Sequence, residues 1–498
     1  NFDGVFNGST FMWSEVCKYL GQEHRIGQYS PPTFDQLLNR CISSRTGRFL
    51  MLIGDNESTF DDVQRYITIK HPSLRTKTLI GSTFEGDLLP NGIYTEQYNN
   101  RVLMDIILYA EKDIALFLRG LGHLYDNLYD LFNQNYAVST KKKYCRIALS
   151  SLYHPRCFVN DEFYCIVFVK REDLEKYDEP FLNRFEKHLI ELECLTTKSH
   201  GILVSRLKTW MNELLSMSMK DFFVWSKSEY LHSLVTEAFD YFERSNSIID
   251  NEQVLKYCQN QILRISSFDL PLCLSYGGEQ DRSEIIEQYY KNHTDFSFVR
   301  FIEKETNDKL LVYTYTQIYE SIDYLKISIR IEETKLNYFK TELELVQKLN
   351  QHYNLSDSAS LLCIRIDYQR DHSYIPILKQ ILINEYTNTF NRRVCLIIHL
   401  QRCKVKKTKN DAFFGGWSSI MIDNLQTDHL LPRPILLQPS YTNLLTCFDI
   451  FKDETIFDEL INRCIVQCHY TVSNRNDELK INYRRNEILQ TLQTPNTN

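Results

Sequence analysis

Four apolar runs of strand length punctuate the first half of the chain: Phe49-Leu50-Met51-Leu52-Ile53, Thr78-Leu79-Ile80, Ile114-Ala115-Leu116-Phe117-Leu118 and Phe163 through Val169. Longer stretches of helical character, notably Gln97 to Glu111 and His123 to Asn133, lie between them. Short buried runs alternating with helix-length segments predict an α/β layer with a largely parallel sheet. From about Ser205 to Gln288 the pattern changes, because Leu, Trp, Phe and Tyr recur at three- and four-residue spacings with hardly a strand-like run. Strand character resumes at Lys309 to Tyr315, Leu361 to Asp367 and Val394 to Leu400, which predicts a second α/β unit. Beyond Leu431, Pro432, Pro434 and Pro439 act as punctuation before further helical segments.

With 498 residues and 43% hydrophobic content the chain can bury more than one core. The expected divisions are a helical lead-in from a preceding module at 1–44, an α/β subdomain at 45–204, a helical lid at 205–300, a second α/β subdomain at 301–430 and a helical segment at 431–498. Asn1 in place of an initiator Met, and an unremarkable Gln493 to Asn498, read as the ends of a piece of something longer.

A formal net charge of -7, from 57 basic and 64 acidic side chains, gives no surplus of positive charge for a phosphate backbone. Nucleic acid is therefore not an expected partner. The basic runs Lys141-Lys142-Lys143 and Lys404, Lys406, Lys407, Lys409 read as solvated loops or polar faces. Fourteen cysteines at irregular spacings, with no Cys-x-x-Cys pair and no leader-like opening segment, point to a reduced, cytoplasmic setting. Cys464, Cys468 and His469 match no common zinc spacing, so no metal ligand is expected here. The longest apolar runs fall far short of the ~20 residues of a membrane-spanning helix.

An α/β unit followed by a helical lid, and then repeated, is the organisation of AAA+ (P-loop NTPase-like) modules. Nucleotide chemistry needs Gly residues whose neighbouring N–H groups surround the phosphates, a Lys for the outer phosphates and a Ser or Thr for the metal. After the first strand this chain has Gly54-Asp55-Asn56-Glu57-Ser58-Thr59. Gly54, Ser58 and Thr59 remain, the Lys is missing, and the carboxylates Asp55 and Glu57 stand where phosphate would approach. After the third strand, Arg119-Gly120-Leu121-Gly122 replaces the paired carboxylates of a metal-and-base site. Asp367, with Asp371 nearby, ends a strand of the second unit and reads as a cap or solvent group, with a relic metal site as the other option.

Several blocks resemble one family. Leu124-Tyr125-Asp126-Asn127-Leu128-Tyr129-Asp130-Leu131-Phe132-Asn133-Gln134-Asn135-Tyr136 and Glu179-Pro180-Phe181-Leu182-Asn183-Arg184-Phe185-Glu186-Lys187-His188 look like segments of the mysterin family, giant ligases combining tandem AAA+ modules with a RING domain. Ile80-Gly81-Ser82-Thr83-Phe84, Asn100-Arg101-Val102, Phe413-Phe414-Gly415-Gly416-Trp417-Ser418 and Ile422-Asp423-Asn424-Leu425 follow the same order. The resemblance implies a parent that hydrolyses ATP with Mg in other modules and transfers ubiquitin through a zinc-binding ligase region. It implies adjacent AAA+ modules, a ubiquitin-conjugating enzyme and ubiquitin as partners, with no catalytic residue and no cofactor in these residues. On this reading 431–498 leads towards the ligase region, and the chain closes the AAA+ ring. The alternative is a non-enzymatic scaffold whose AAA+ fold is vestigial.

Arg184 is the candidate trans-acting arginine, because an Arg near the end of the helix before the last strand can reach the nucleotide of a neighbouring AAA+ module. The competing expectation pairs it with Glu186 or Glu179 at the surface. His188 reads as a satisfied helix-end histidine, and the Gly415-Gly416 pair beside Trp417 as a tight turn pinned to a core.

Overall fold

A computed structural model describes residues 34–44, 47–55, 57–149, 153–190, 198–216, 228–244, 250–267, 281–293, 298–314, 329–354, 360–385, 392–400 and 415–422, with a few isolated positions besides. These divide into two compact units, the first comprising residues up to 202 with 340–342 and 374–387, the second the remainder. The Lys404–Lys409 run, Phe413, Phe414, the Asp423-Asn424-Leu425 block, the Cys464, Cys468, His469 group and the whole of 431–498 lie outside the described residues.

The first unit opens with helix α1 (Phe34–Ser44) and strand β1 (Phe49–Gly54), then α2 (Glu57–Lys70), β2 (Thr76–Ile80), α3 (Glu96–Ala110) and β3 (Ala115–Arg119). Strands β4 (Ala137–Ser139), β5 (Lys142–Arg146), β6 (Arg156–Val159), β7 (Tyr164–Lys170) and β8 (Phe185–Leu189) complete it. The main sheet has the order β2-β3-β7-β1-β8 with every pairing parallel. Every residue of β1 and β3 is buried, as expected for strands covered by helices on both faces. Stacked Phe117 and Phe168, with ring centroids 5.6 Å apart, and Phe49 against the edges of Phe163 and Tyr164 fill the core. Helix α3 starts where it does because the Thr95 hydroxyl accepts the Tyr98 N–H at 3.2 Å.

β4, β5 and β6 form a separate antiparallel sheet inserted between β3 and β7. Its first turn puts Thr140 and Lys141 at positive φ without a Gly. The segment read as a helix at His123 to Asn133 is instead a tight 3-10 stretch, Gly122–Leu128, followed by one helical turn, Tyr129–Phe132. His188 lies on strand β8, not at a helix end.

The second unit carries helices α4 (Lys198–Ser216, from Leu203 onward), α5 (Ser228–Arg244), α6 (Asn251–Arg264), α7 (Asp281–Asn292) and α8 (Phe298–Lys304) before its sheet. The strands are β9 (Lys309–Thr314), β10 (Arg330–Lys335), β11 (Ser360–Asp367), β12 (Arg392–His399) and β13 (Ser418–Met421), with α9 (Glu342–Asn354) between β10 and β11. Helix α10 (Ile375–Glu385) follows β11 in sequence and belongs to the first unit. The sheet order is β10-β11-β12-β9-β13, again all parallel. Setting the inserted β4–β6 aside, the two sheets thread their five strands identically, as second-third-fourth-first-fifth. The expected α/β class with parallel sheets flanked by helices, consistent with AAA+ P-loop-like modules, is what the chain adopts.

The Gly pair does form a turn. Gly416 sits at φ +78°, its N–H donates to Glu237 at 2.9 Å, and the adjoining Trp417 is buried. Among the described residues no helix is long and apolar enough to cross a membrane.

Candidate functional site: the end of the first strand

In a sheet of this order the chain leaves β1 for β2, three positions away, and later returns past β1 to β8. Such a change of direction opens a crevice at the carboxyl ends of the strands, where open α/β sheets bind ligands. Here that position is filled by side chains. β1 ends at Gly54 and α2 begins at Glu57, so only Asp55 and Asn56 connect them. A Cβ on Gly54 would lie 2.8 Å from the Phe60 ring, which is itself buried and packed on Phe168 at 4.7 Å. Thr59 is buried beside it. Asp55 is exposed and pairs with Arg171, just past β7, at 3.1 Å. The side chains of Glu57 and Ser58 lie outside the described residues.

One residue beyond Phe60, the Asp61 carboxylate receives two cations on separate oxygens. Arg119 Nη1 reaches Oδ1 at 2.7 Å and Lys379 Nζ, on α10, reaches Oδ2 at 2.7 Å. Arg119 is 3% and Lys379 8% exposed, against 24% for Asp61. Burial pushes the Asp61 carboxyl upward, but the attraction and hydrogen bonds of Lys379 and Arg119 outweigh it and hold the group below the usual carboxylate range. Arg119 also lies over the Phe60 ring at 5.6 Å. The residue that stands where a metal-and-base carboxylate would end β3 thus ties that strand to α2 and α10. The sequence marked Arg119 as a departure from nucleotide chemistry. Its partners, 58 residues away for Asp61 and a further helix for Lys379, carried no sequence signal.

Behind this position the blocks Ile80 to Phe84 and Asn100 to Val102 lock the ends of β2 and β3. Gly81 N–H donates to Arg119 O at 2.8 Å, and an added Cβ on Gly81 would stand 2.3 Å from the Gly120 carbonyl oxygen. Ser82 donates its hydroxyl to Asp87 at 2.6 Å while its N–H donates to the Tyr98 hydroxyl at 2.8 Å. Arg101 pairs with Glu342 at 2.7 Å.

Arg184 occupies the turn between the helical turn Glu179–Leu182, capped by Asp178, and edge strand β8. Its guanidinium lies 4.1 Å over the Tyr129 ring and 5.9 Å from that of Phe181, an aromatic seat and not the ion pair with Glu179 or Glu186 that a surface turn would suggest. Glu186 instead faces His188 at 3.2 Å. The structure also brings two distant blocks together: Tyr125 stacks on Phe181 at 5.0 Å and Phe132 meets Phe185 at 5.0 Å.

In the second unit Asp367 caps the turn that follows β11 by accepting the Gln369 N–H at 3.1 Å. Asp371 is buried, accepts the Asp367 N–H at 3.1 Å, and is raised in pKa chiefly by burial. Both carboxylates are engaged by the backbone of their own turn.

Residues 39–196, which include the whole first sheet, match the RNF213 AAA domain family. The chain is 22% identical over 467 residues to mouse "E3 ubiquitin-protein ligase RNF213", covering 84% of this chain and 9% of that protein. It is 22% identical over 425 residues to the human protein of the same name, covering 74% and 8% respectively. It is 26% identical over 263 residues to zebrafish "E3 ubiquitin-protein ligase rnf213-beta", covering 52% and 4%. The chain thus spans less than a tenth of the length of the curated relatives it matches.

Proposed function

We propose, for a chain that belongs to the mysterin family, that its first α/β unit is an AAA+ module without nucleotide chemistry, serving as a ring-closing segment of a giant E3 ubiquitin-protein ligase. The observation that carries this reading is the packing at the end of β1. Phe60 lies against Gly54, and Asp61, Arg119 and Lys379 form a closed ion network where a phosphate loop and its metal would be. A phosphate entering there would have to displace a buried ring and compete with Asp61 for both cations. The parent would hydrolyse ATP with Mg in other modules and hand ubiquitin from a conjugating enzyme to substrate through a zinc-binding ligase region, in the cytoplasm. This segment's partners would be the adjacent AAA+ modules of the same polypeptide.

Calorimetric titration of the purified chain with ATP and Mg tests the reading. The expected result is no saturable heat and no turnover. Saturable micromolar binding that disappears on changing Ser58 or Thr59 would overturn it.

A further inference from the structure

β8 is the edge strand of the first sheet, and residues two apart on a strand share a face, so Glu186 and His188 point to the same side. Register places them beside Leu50 and Leu52 of β1. Cys41, buried on α1, meets them there. Its sulfur, a Glu186 oxygen and a His188 nitrogen all lie within 4.8 Å of one another. Among the described residues this is the sole group of three such ligands.

We propose that Cys41, Glu186 and His188 form a divalent zinc-type metal site that clamps α1 to the edge strand, with the fourth coordination position open to water. The ligand set suits a borderline-soft ion, since one thiolate, one imidazole and one carboxylate are all common zinc donors. Bonds of about 2.0–2.3 Å put tetrahedral ligands roughly 3.3–3.8 Å apart, a spacing that His188 Nε2 and Glu186 Oε1, 3.2 Å from one another, already approach. Glu186, with a side chain 43% exposed, has room to turn its carboxylate towards a cation, whereas His188, at 15%, is more confined. Metal binding exchanges one proton for the ion: the Cys41 S–H bond breaks, the sulfur pair bonds to the cation, and the proton leaves to solvent. Without a cation the thiol stays protonated, because burial and the neighbouring Glu186 carboxylate push it up to about 12. A cation in the site reverses the sign of that local field. The clamp is independent of whether any nucleotide binds.

The test uses the whole chain, stripped with chelator and titrated with Co²⁺ while the thiolate-to-cobalt charge-transfer absorption is followed, and then with Zn²⁺ in competition. Binding of one equivalent with a thiolate band, displaced by Zn²⁺, is expected. Cys41→Ser should abolish the band and the equivalent. His188→Ala, at a half-buried strand position, should abolish the equivalent even if the core variant folds poorly. Cys464→Ser, in a Cys/His group remote in sequence, should keep both. Zn²⁺ should raise the melting temperature of the unmodified chain and not that of His188→Ala. Failure to bind Co²⁺, or unchanged stoichiometry and absorption in Cys41→Ser and His188→Ala, would overturn the assignment.

Discussion

Arg119, the last residue of β3, donates to Asp61 of α2 across 2.7 Å while being almost wholly shielded from water. With Lys379 on the other carboxylate oxygen, one anion holds two buried cations. Removing the anion leaves like charges facing each other in a poorly solvated place, which is costlier than losing an exposed pair. Asp61→Asn is expected to lower the unfolding free energy by about 2–4 kcal/mol, somewhat under the usual range for a broken buried pair because Asp61 keeps partial exposure. The depressed carboxyl fixes the pH dependence. Its stabilisation is present above the ordinary carboxylate pKa of 3.8 and is lost as pH falls from there through the lower folded value. Urea unfolding of both proteins at pH 7 and pH 3 checks this. A gap that does not narrow in acid would contradict the account.

Two glycines in the same region should behave differently. At Gly54 an added methyl meets the end of a Phe60 ring at 2.8 Å, whereas at Gly81 it meets the Gly120 backbone oxygen at 2.3 Å. A ring can tilt and a backbone carbonyl cannot, so Gly54→Ala is expected to cost about 1–3 kcal/mol and Gly81→Ala more. The Phe60→Leu change should recover part of the Gly54→Ala loss and none of the Gly81→Ala loss. Thermal melts of the two singles and two doubles measure the coupling.

The strands legible in the sequence are β2, an edge strand betrayed by the short run Thr78-Leu79-Ile80, and six with longer apolar runs, β1, β3 and β7 in the first unit and β9, β11 and β12 in the second. Those six runs are long because central parallel strands are covered on both faces. β8 and β10 escaped notice for the converse reason. Phe185-Glu186-Lys187-His188-Leu189 and Arg330-Ile331-Glu332-Glu333-Thr334-Lys335 are edge strands, mostly half-buried, and their polar composition hides them. The β4–β6 insert was hidden too, since its β4–β5 turn, at Thr140 and Lys141, lacks the Asn-Gly or Gly signal of a tight hairpin. At the strand end the missing Lys and Arg119 were readable, while Phe60, Asp61 and Lys379 were not, because only tertiary packing gives them a common location.

In the second unit, His293 sits just past α7, 1% exposed, with its ring stacked on Tyr289 at 4.0 Å and its Nδ1 2.9 Å from the Tyr289 carbonyl oxygen. Burial lowers its pKa to about 4, despite the opposing carbonyl bond. The unfolded chain therefore takes up this proton first, near pH 6.5. Stability falls as pH drops from about 6.5 to about 4, by up to roughly 1.4 kcal/mol per unit, and is independent of this group above that window. His293→Gln should be less sensitive to acid than the unmodified chain. Equal slopes of unfolding free energy between pH 7 and 4.5 would show that the ring protonates without penalty in the fold.

The aromatic seat of Arg184 separates its structural contribution from any role towards a neighbour. A guanidinium 4.1 Å over Tyr129 at a half-buried site is worth about 0.5–1 kcal/mol, so Arg184→Ala in this chain should lower the melting temperature by only a few degrees. Arg184→Lys keeps the charge and loses the planar stacking and the forked donors, and should sit between the two in stability. In a longer protein containing intact ATPase modules the two readings diverge. If Arg184 reaches the nucleotide of an adjacent module, Arg184→Ala and Arg184→Lys should both reduce ATP turnover, because a point charge does not replace a fork that meets developing phosphate charge. Tyr129→Leu, which removes the seat and leaves the guanidinium, should reduce turnover less than Arg184→Ala while matching its loss of stability. If Arg184 does no more than pack on Tyr129, all three variants hydrolyse ATP at the unmodified rate and differ only in small losses of stability, the smallest in Arg184→Lys.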